Sequence, residues 1–179
     1  FRSGSAGDVR REAADRVLVA AGRAPVLSGI DAARLGLKLD GRFIRVDARL
    51  RTSLPGVYAV GDVIGGMMLA HKASAEAEAV VADLRGARRT VRPERVPRCI
   101  WGLAEIGAIG LSEEQAAAAG RRVKMGRFPY LASGAAHALG ATEGFVKIVG
   151  DSDSGEILGV HIIGAHATDL ISEAATAMS

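Results

Sequence analysis

Cysteine is almost missing from this chain of 179 residues, where Cys99 stands alone. One thiol makes no internal disulfide and no metal cluster of several thiolates, and a dithiol-disulfide reaction would need a second cysteine within bonding range. A G-x-G-x-x-G turn is absent too, so no glycine-rich loop feeds a helix start that could cradle a dinucleotide pyrophosphate. No run of about 20 apolar residues is long enough to span a bilayer, and the stretch Phe1 to Arg16 is charged where a signal peptide would be apolar. These absences point to a soluble, intracellular protein with no membrane partner. Aromatic residues make up 4% and the net charge is only +3. The arginine pairs Arg10-Arg11, Arg88-Arg89 and Arg121-Arg122 are scattered, with little aromatic interleaving, which argues against nucleic acid as a partner. The richness in alanine, glycine and arginine suggests a GC-rich bacterial genome.

Hydrophobic residues make up 49%, enough for a packed core in one domain or two small ones. The most informative stretch is 52–73, TSLPGVYAVGDVIGGMMLAHKA. Val57 to Val60 reads as a buried strand after a Pro-Gly turn. Gly61 thins the backbone where it would pass a ligand, and Asp62 offers a carboxylate at the strand's end, suited to a sugar hydroxyl. A helix is expected from about Met68 or Leu69 to Leu84, with Ala70, Ala73, Ala77, Val80, Val81 and Leu84 at helical spacing. The free N–H groups of its first turn can hold an anionic or electron-rich group such as a reduced flavin ring. An ordinary strand-loop-helix crossover with a solvated aspartate explains the same pattern.

Around that stretch, Val17 to Ala21 reads as one strand, too little for a sheet by itself. A short helix is expected around Asp31 to Leu35 and a strand near Phe43 to Val46. The proline- and charge-rich segment Arg88 to Pro97 is the best domain boundary. Beyond it come strands at Arg98 to Trp101 and Glu105 to Ile109, and a helix opened by a Ser112/Gln115 capping box and stopped by Gly120. A strand near Arg122 to Phe128 precedes an ill-defined alanine and glycine segment. Two strands, Phe145 to Val149 and Ile157 to Ile163, form a hairpin through Asp151 to Gly155, before a last helix at about Ala167 to Met178. The second half is thus expected to be an antiparallel sheet with helices, an α+β domain.

Thr52, Gly56 to Asp62 and Met68 to Ala73 resemble the second flavin-binding motif of the pyridine-nucleotide disulfide oxidoreductases, in the form typical of the dihydrolipoamide dehydrogenase branch. Val17 to Pro25 resembles that family's return from its nicotinamide domain to its flavin domain. Gly144 to Ile148 and Gly159 to Gly164 resemble strands of its interface domain, and all fall in family order. The resemblance implies a fold of α/β plus α+β: residues 1–24 end an NAD-binding domain, 25–92 close a Rossmann-like FAD-binding domain, and 93–179 form an interface or dimerisation domain short of its C-terminus. It implies oxidation of dihydrolipoamide with NAD through FAD and a cysteine pair outside this stretch, in a homodimer served by a dihydrolipoyl-bearing protein of a 2-oxoacid dehydrogenase complex in a bacterial cytoplasm. Gly22 would sit beside the dinucleotide, Asp62 would hydrogen-bond the flavin ribityl chain, and Met68, Leu69, Ala70 and His71 would line the ring edge, largely through backbone groups. The chain is expected to be part of a longer enzyme, to hold neither FAD nor NAD tightly alone, and to supply no catalytic residue. A catalytically silent dimerisation module is the competing reading, and a related flavoprotein disulfide reductase another.

Other chemistry-bearing residues receive plainer readings. His71 reads as a local hydrogen-bonder, and His161 and His166 lack the four-residue spacing that places two metal ligands on one helix face. Cys99, beside Ile100 and Trp101, reads as a buried inert thiol. Lys72, Glu76 and Glu78 read as a solvated helix face. Two departures from the family put the substrate in doubt: Trp101 to Glu105 lacks the usual proline, so that loop should be more mobile, and Leu131 to His137 lacks the common asparagine and arginine.

Overall fold

The computed structural model describes residues 13–87 and 89–179; the charged lead-in before Ala13, and Arg88 of the expected linker, lie outside them. The first half holds a short helix α1 (Ala32–Leu35), a two-residue hairpin of β1 (Leu39–Asp40) and β2 (Phe43–Ile44), a 3-10 turn (Gly61–Ile64) and the long helix α2 (Ala70–Leu84). α1 starts where its cap allows: the Asp31 carboxylate accepts the Arg34 N–H at 3.0 Å, and Gly36 at φ 72° ends it in the left-handed region.

Two expected strands in this half differ from the structure. Val17 to Ala21 forms no strand, and Val17, Leu18 and Val19 are more than 80% exposed. A strand exists only with a hydrogen-bonded neighbour, and the described residues give this segment none. Val57 to Val60 is not a buried strand either. It meets Leu50 to Thr52 through one antiparallel bridge, Arg51 with Tyr58, and through the bonds Thr52 N–H to Val57 O (2.9 Å) and Ala59 N–H to Leu50 O (3.1 Å). Val57 stays exposed while Ala59 is buried.

The second half folds around a five-stranded antiparallel sheet in the order β3-β4-β7-β6-β5: β3 is Arg98–Ile100, β4 Ile106–Gly110, β5 Val123–Pro129, β6 Gly144–Asp151 and β7 Ile157–Gly164. Register is regular from Phe145 opposite Ile163 to Val149 opposite Gly159, then shifts at a bulge between Val149 and Gly150. The central strand β7 buries Leu158, Val160 and Ile162 on one face and leaves Ile157, His161 and Ile163 half-buried on the other, whereas the edge strand β5 carries Lys124 and Arg127, as suits an edge. Helix α3 (Glu113–Ala118) opens with the expected capping box: Ser112 Oγ accepts the Gln115 N–H and Gln115 Oε1 accepts the Ser112 N–H at 2.9 Å. The alanine-rich segment left undefined by the sequence is a 3-10 turn (Tyr130–Ala132) and a short helix α4 (Gly134–Ala138).

Helix α5 (Ala167–Ala177) packs on β4 and β7. Ala167 and Ile171 are buried with Ile109, Val160 and Ile162 in the main core, and Val149, Leu158 and Ala116 form a smaller one toward α3. The helix lies so close to β4 that a methyl group at Gly107 would stand 2.3 Å from the Ala167 carbonyl oxygen. The β6-β7 hairpin is tied by Asp151, whose Oδ1 accepts the N–H groups of Asp153 and Ser154 at 2.8 and 2.9 Å while Oδ2 takes Arg121 Nε. Arg121 also reaches Glu156, and Arg122 pairs with Asp153. Among the described residues no helix is long and apolar enough to cross a membrane.

Candidate functional site

The expected cofactor side is built on the 3-10 turn and the start of α2. Gly61 adopts φ 81°, a left-handed conformation that favours glycine, and a Cβ there would stand 3.3 Å from the Ala73 Cβ. The close approach that Gly61 permits is therefore to helix α2 of its own chain. Asp62 follows on the turn with a part-exposed carboxylate, 3.2 Å from the Arg23 guanidinium. That pair is largely solvated and contributes little stability, so it leaves the carboxylate available. Arg23 is a neighbour that sequence spacing gave no means of finding. Gly22 beside it adopts φ 95° with open space around its Cα.

Helix α2 begins at Ala70 with Leu69 in the capping position and no side-chain cap. Its first-turn N–H groups lack partners within the helix by geometry, and the positive end of the helix dipole coincides with them. Met68 and Leu69 are half-buried beside this opening, while Ala70 and His71 are exposed. The His71 Nε2–H donates to the Pro97 carbonyl at 2.7 Å, which ties the start of α2 to the chain entering β3. The far end of the helix is moored by Asp83, which accepts from Arg49, from Arg51 and from the Tyr58 hydroxyl at 2.9 Å. The Arg51 and Tyr58 hydrogen bonds hold the Asp83 carboxyl below the usual carboxylate range.

The buried face of α2 is the largest correction to the sequence reading. Lys72 and Glu76, expected on a solvated face, are 6% and 4% exposed and form an ion pair at 2.7 Å, with Ala79 buried next to them. Glu76 Oε2 also accepts the Gly61 N–H at 2.7 Å, and Lys72 Nζ donates to the Gly65 carbonyl at 3.1 Å. Of the three only Glu78 is solvent-facing, paired with Arg89. Conversely Ala70, Ala77, Val81 and Leu84 of the expected core stripe are exposed, because among the described residues nothing covers that side of the helix. An apolar stripe shows which face seeks cover, whereas the 3-10 turn here covers the face carrying the charged pair. The one usable signal was a lysine and a glutamate four residues apart on the same side as Ala79.

The remaining residues lie away from this site. Cys99 is part-buried and its Sγ–H points to the Thr168 carbonyl; burial first, then the Asp169 and Glu105 carboxylates, push its thiol up. His161 Nε2–H donates to the Leu111 carbonyl at 3.1 Å, while His166 is exposed and 3.5 Å from Asp169, so the two histidines serve separate contacts. Glu105 accepts both the N–H and the hydroxyl of Thr168, and these bonds hold its carboxyl low. A cavity of about 390 Å³ opens near the end of β5, lined by Phe128, Tyr130, Leu139, Val146, His166 and Leu170.

Comparison with known proteins gives these arrangements a context. Residues 3–77 match the model described as pyridine nucleotide-disulphide oxidoreductase, and residues 96–179 match that family's dimerisation domain. A dihydrolipoyl dehydrogenase of Chlorobaculum tepidum is 44% identical over 88% of this chain and 34% of its own length. One of Bacillus subtilis is 41% identical over 96% of this chain and 36% of its own. The crystal structure of LpdA from Mycobacterium tuberculosis superposes with a TM-score of 0.80 at 27% identity, over 87% of this chain and 34% of that one. The chain thus spans about a third of the length of the curated relatives it matches. Two models of one family, adjoining the candidate turn and the antiparallel sheet in family order, account for most of its residues, and the chain belongs to the pyridine nucleotide-disulphide oxidoreductase family.

Proposed function

We propose that this chain supplies the flavin-supporting turn and the dimerisation domain of a dihydrolipoyl dehydrogenase, which oxidises dihydrolipoamide with NAD through FAD and a cysteine pair carried by another part of the same polypeptide. The observation that carries the reading is the Asp62 turn running into the uncapped start of α2, within the segment Met68 to Ala73. The donor set fits the cofactor: a carboxylate accepts from a ribityl hydroxyl, and uncommitted backbone N–H groups meet the electron-rich edge of a flavin ring. When bound, FAD would supply two-electron transfer between the dithiol and NAD. The chain's own part is binding and orientation. Asp62 would fix the ribityl chain, the N–H groups at Ala70 and His71 would favour negative charge at the ring edge, and Met68 and Leu69 would exclude water beside it. At a helix N-terminus such charge stabilisation is worth about 0.3 to 1 kcal/mol when exposed and up to about 2 when partly buried, so it tunes flavin binding and does not create it. Gly22 would stand beside the nicotinamide dinucleotide.

The same reading places the enzyme in a bacterial cytoplasm as a homodimer, with a dihydrolipoyl-bearing protein of a 2-oxoacid dehydrogenase complex as its partner. For the first part, the bacterial organisms of these relatives support a bacterial source alone. The dimerisation-domain match supports the second, together with the exposed apolar residues Ile100, Trp101, Phe128, Leu131, Leu139 and Leu170 in that half. Those residues also favour the second reading, a module whose role is association alone. On this reading the domain limits are residues 1–24, 25–92 and 93–179, and the second boundary falls in the proline- and charge-rich segment.

The test is to purify the complete polypeptide encoded around these residues, record its flavin absorbance and intact mass, and assay NADH formation from dihydrolipoamide. Bound flavin and turnover support the reading, and Asp62→Ala should weaken FAD retention. A flavin-free polypeptide with no cysteine pair would overturn it in favour of the association module, and turnover of glutathione disulfide alone would assign a related reductase.

A further inference from the structure

We propose that Lys72 and Glu76 are positioning residues: together they clamp both ends of the Gly61–Ile64 turn onto α2 and so fix where the Asp62 carboxylate stands relative to the helix start. The inference rests on the proposed flavin role of Asp62 but adds residues to which no cofactor contact is ascribed.

Three observations carry it. The pair is almost wholly buried, and each member spends a further bond on the turn: Glu76 Oε2 accepts the N–H of Gly61, its first residue, and Lys72 Nζ donates to the carbonyl of Gly65, which closes it. The 3-10 bonds of the turn and the bond that closes it, Gly65 N–H to Asp62 O at 3.2 Å, are internal to the turn, whereas the bonds to Glu76 and Lys72 join it to α2. Finally, the placement is poor for helix stability. Lys72 sits in the first turn of α2, where a cation meets the positive end of the dipole, and a lysine four residues before a glutamate is the less favourable order. Burying two charges also carries a desolvation cost that well-packed apolar side chains would avoid. An arrangement that costs stability in each of these ways, yet satisfies one donor and one acceptor at opposite ends of the Asp62 turn, is explained by geometry.

The experiment uses the complete polypeptide, stripped of flavin and reloaded. Amide hydrogen exchange is measured at Gly61 to Gly66, and FAD affinity by titration, for Glu76→Ala, Glu76→Gln and Asp62→Ala, with Ile171→Ala as a control that loosens the distant α5 core. Glu76→Ala should raise exchange at Gly61 and weaken FAD binding about tenfold or more, since a small displacement of a binding group is felt as a large change in affinity. Glu76→Gln keeps an acceptor for the Gly61 N–H, so it should retain much of the protection, and it serves as the readable variant if Glu76→Ala fails to fold. Ile171→Ala should leave FAD affinity unchanged. Unaltered Gly61 exchange in both Glu76 variants overturns the clamp. Raised exchange with unaltered FAD affinity overturns its role toward the flavin. If Asp62→Ala also leaves FAD affinity unaltered, the failure belongs to the flavin reading of Asp62 instead.

Discussion

Adding one methyl group to β4 should loosen α5 from the sheet. Gly107 lies beneath that helix, where an alanine Cβ would stand 2.3 Å from the Ala167 carbonyl oxygen and 2.9 Å from the Ile171 Cβ. An ordinary carbon-oxygen contact is roughly 3.3 Å, so the helix must retreat by about 1 Å. Neither obstacle is a side-chain tip that can swing aside: one is backbone, and the other is the first carbon of a residue only 1% exposed. The cost should therefore fall toward the upper part of the range for overpacking, about 2 to 3 kcal/mol. With a urea dependence of about 2 kcal/mol/M, the unfolding midpoint would fall by about 1 M. Gly126→Ala in β5 is the matched control, since a Cβ there has nothing within 4 Å and its φ is not positive. It should be neutral or stabilise slightly, by up to about 1 kcal/mol, through the lost entropy of the unfolded glycine. The assay is equilibrium urea denaturation followed by circular dichroism. A Gly107→Ala midpoint indistinguishable from that of Gly126→Ala would show that α5 does not lie against β4 as described.

Two further outcomes are expected. Asp151 is held below the usual carboxylate range, first by the Ser154 N–H and then by Arg121. A depressed folded value means stability that is present above the unfolded value of about 3.9 and lost as pH falls through the folded one; Asp151→Asn should therefore cost stability at neutral pH, with the gap to the parent closing below about pH 4 in acid denaturation, and a pH-independent gap would contradict this. Because burial and two neighbouring carboxylates raise the Cys99 thiol, iodoacetamide should label it slowly at neutral pH and faster as pH rises, whereas labelling at the rate of the urea-unfolded chain would show that the thiol is accessible and ordinary.

The sequence was most legible where each residue's environment comes from nearby residues. The Ser112/Gln115 capping box and the Asp151 to Gly155 turn act over a few positions, and α3, the hairpin and its two strands stand where those signals put them. Helix α2 is likewise present from Ala70 to Leu84, within a residue or two of the expected limits. Reading failed where an element needs a distant partner. Val17 to Ala21 and Val57 to Val60 have the composition of strands, yet ladder hydrogen bonds come from a neighbour, and the described residues provide one bridge for the second segment and none for the first.

By itself the sequence determined the family motifs and their order, the elements of the antiparallel half, and the presence of an acid ahead of a helix start. Only the tertiary structure decided which face of α2 is buried. The apolar stripe predicted one side, but burial follows whatever packs against the helix, and the Gly61 to Gly65 turn packs on the side carrying Lys72 and Glu76. Charged side chains can be buried when each finds its counter-ion and its hydrogen bonds. The counter-ion is only four residues away, but the backbone partners on the turn lie 7 and 15 residues away along the chain, too far for any local pattern to reveal, and folding alone brings them within hydrogen-bond distance.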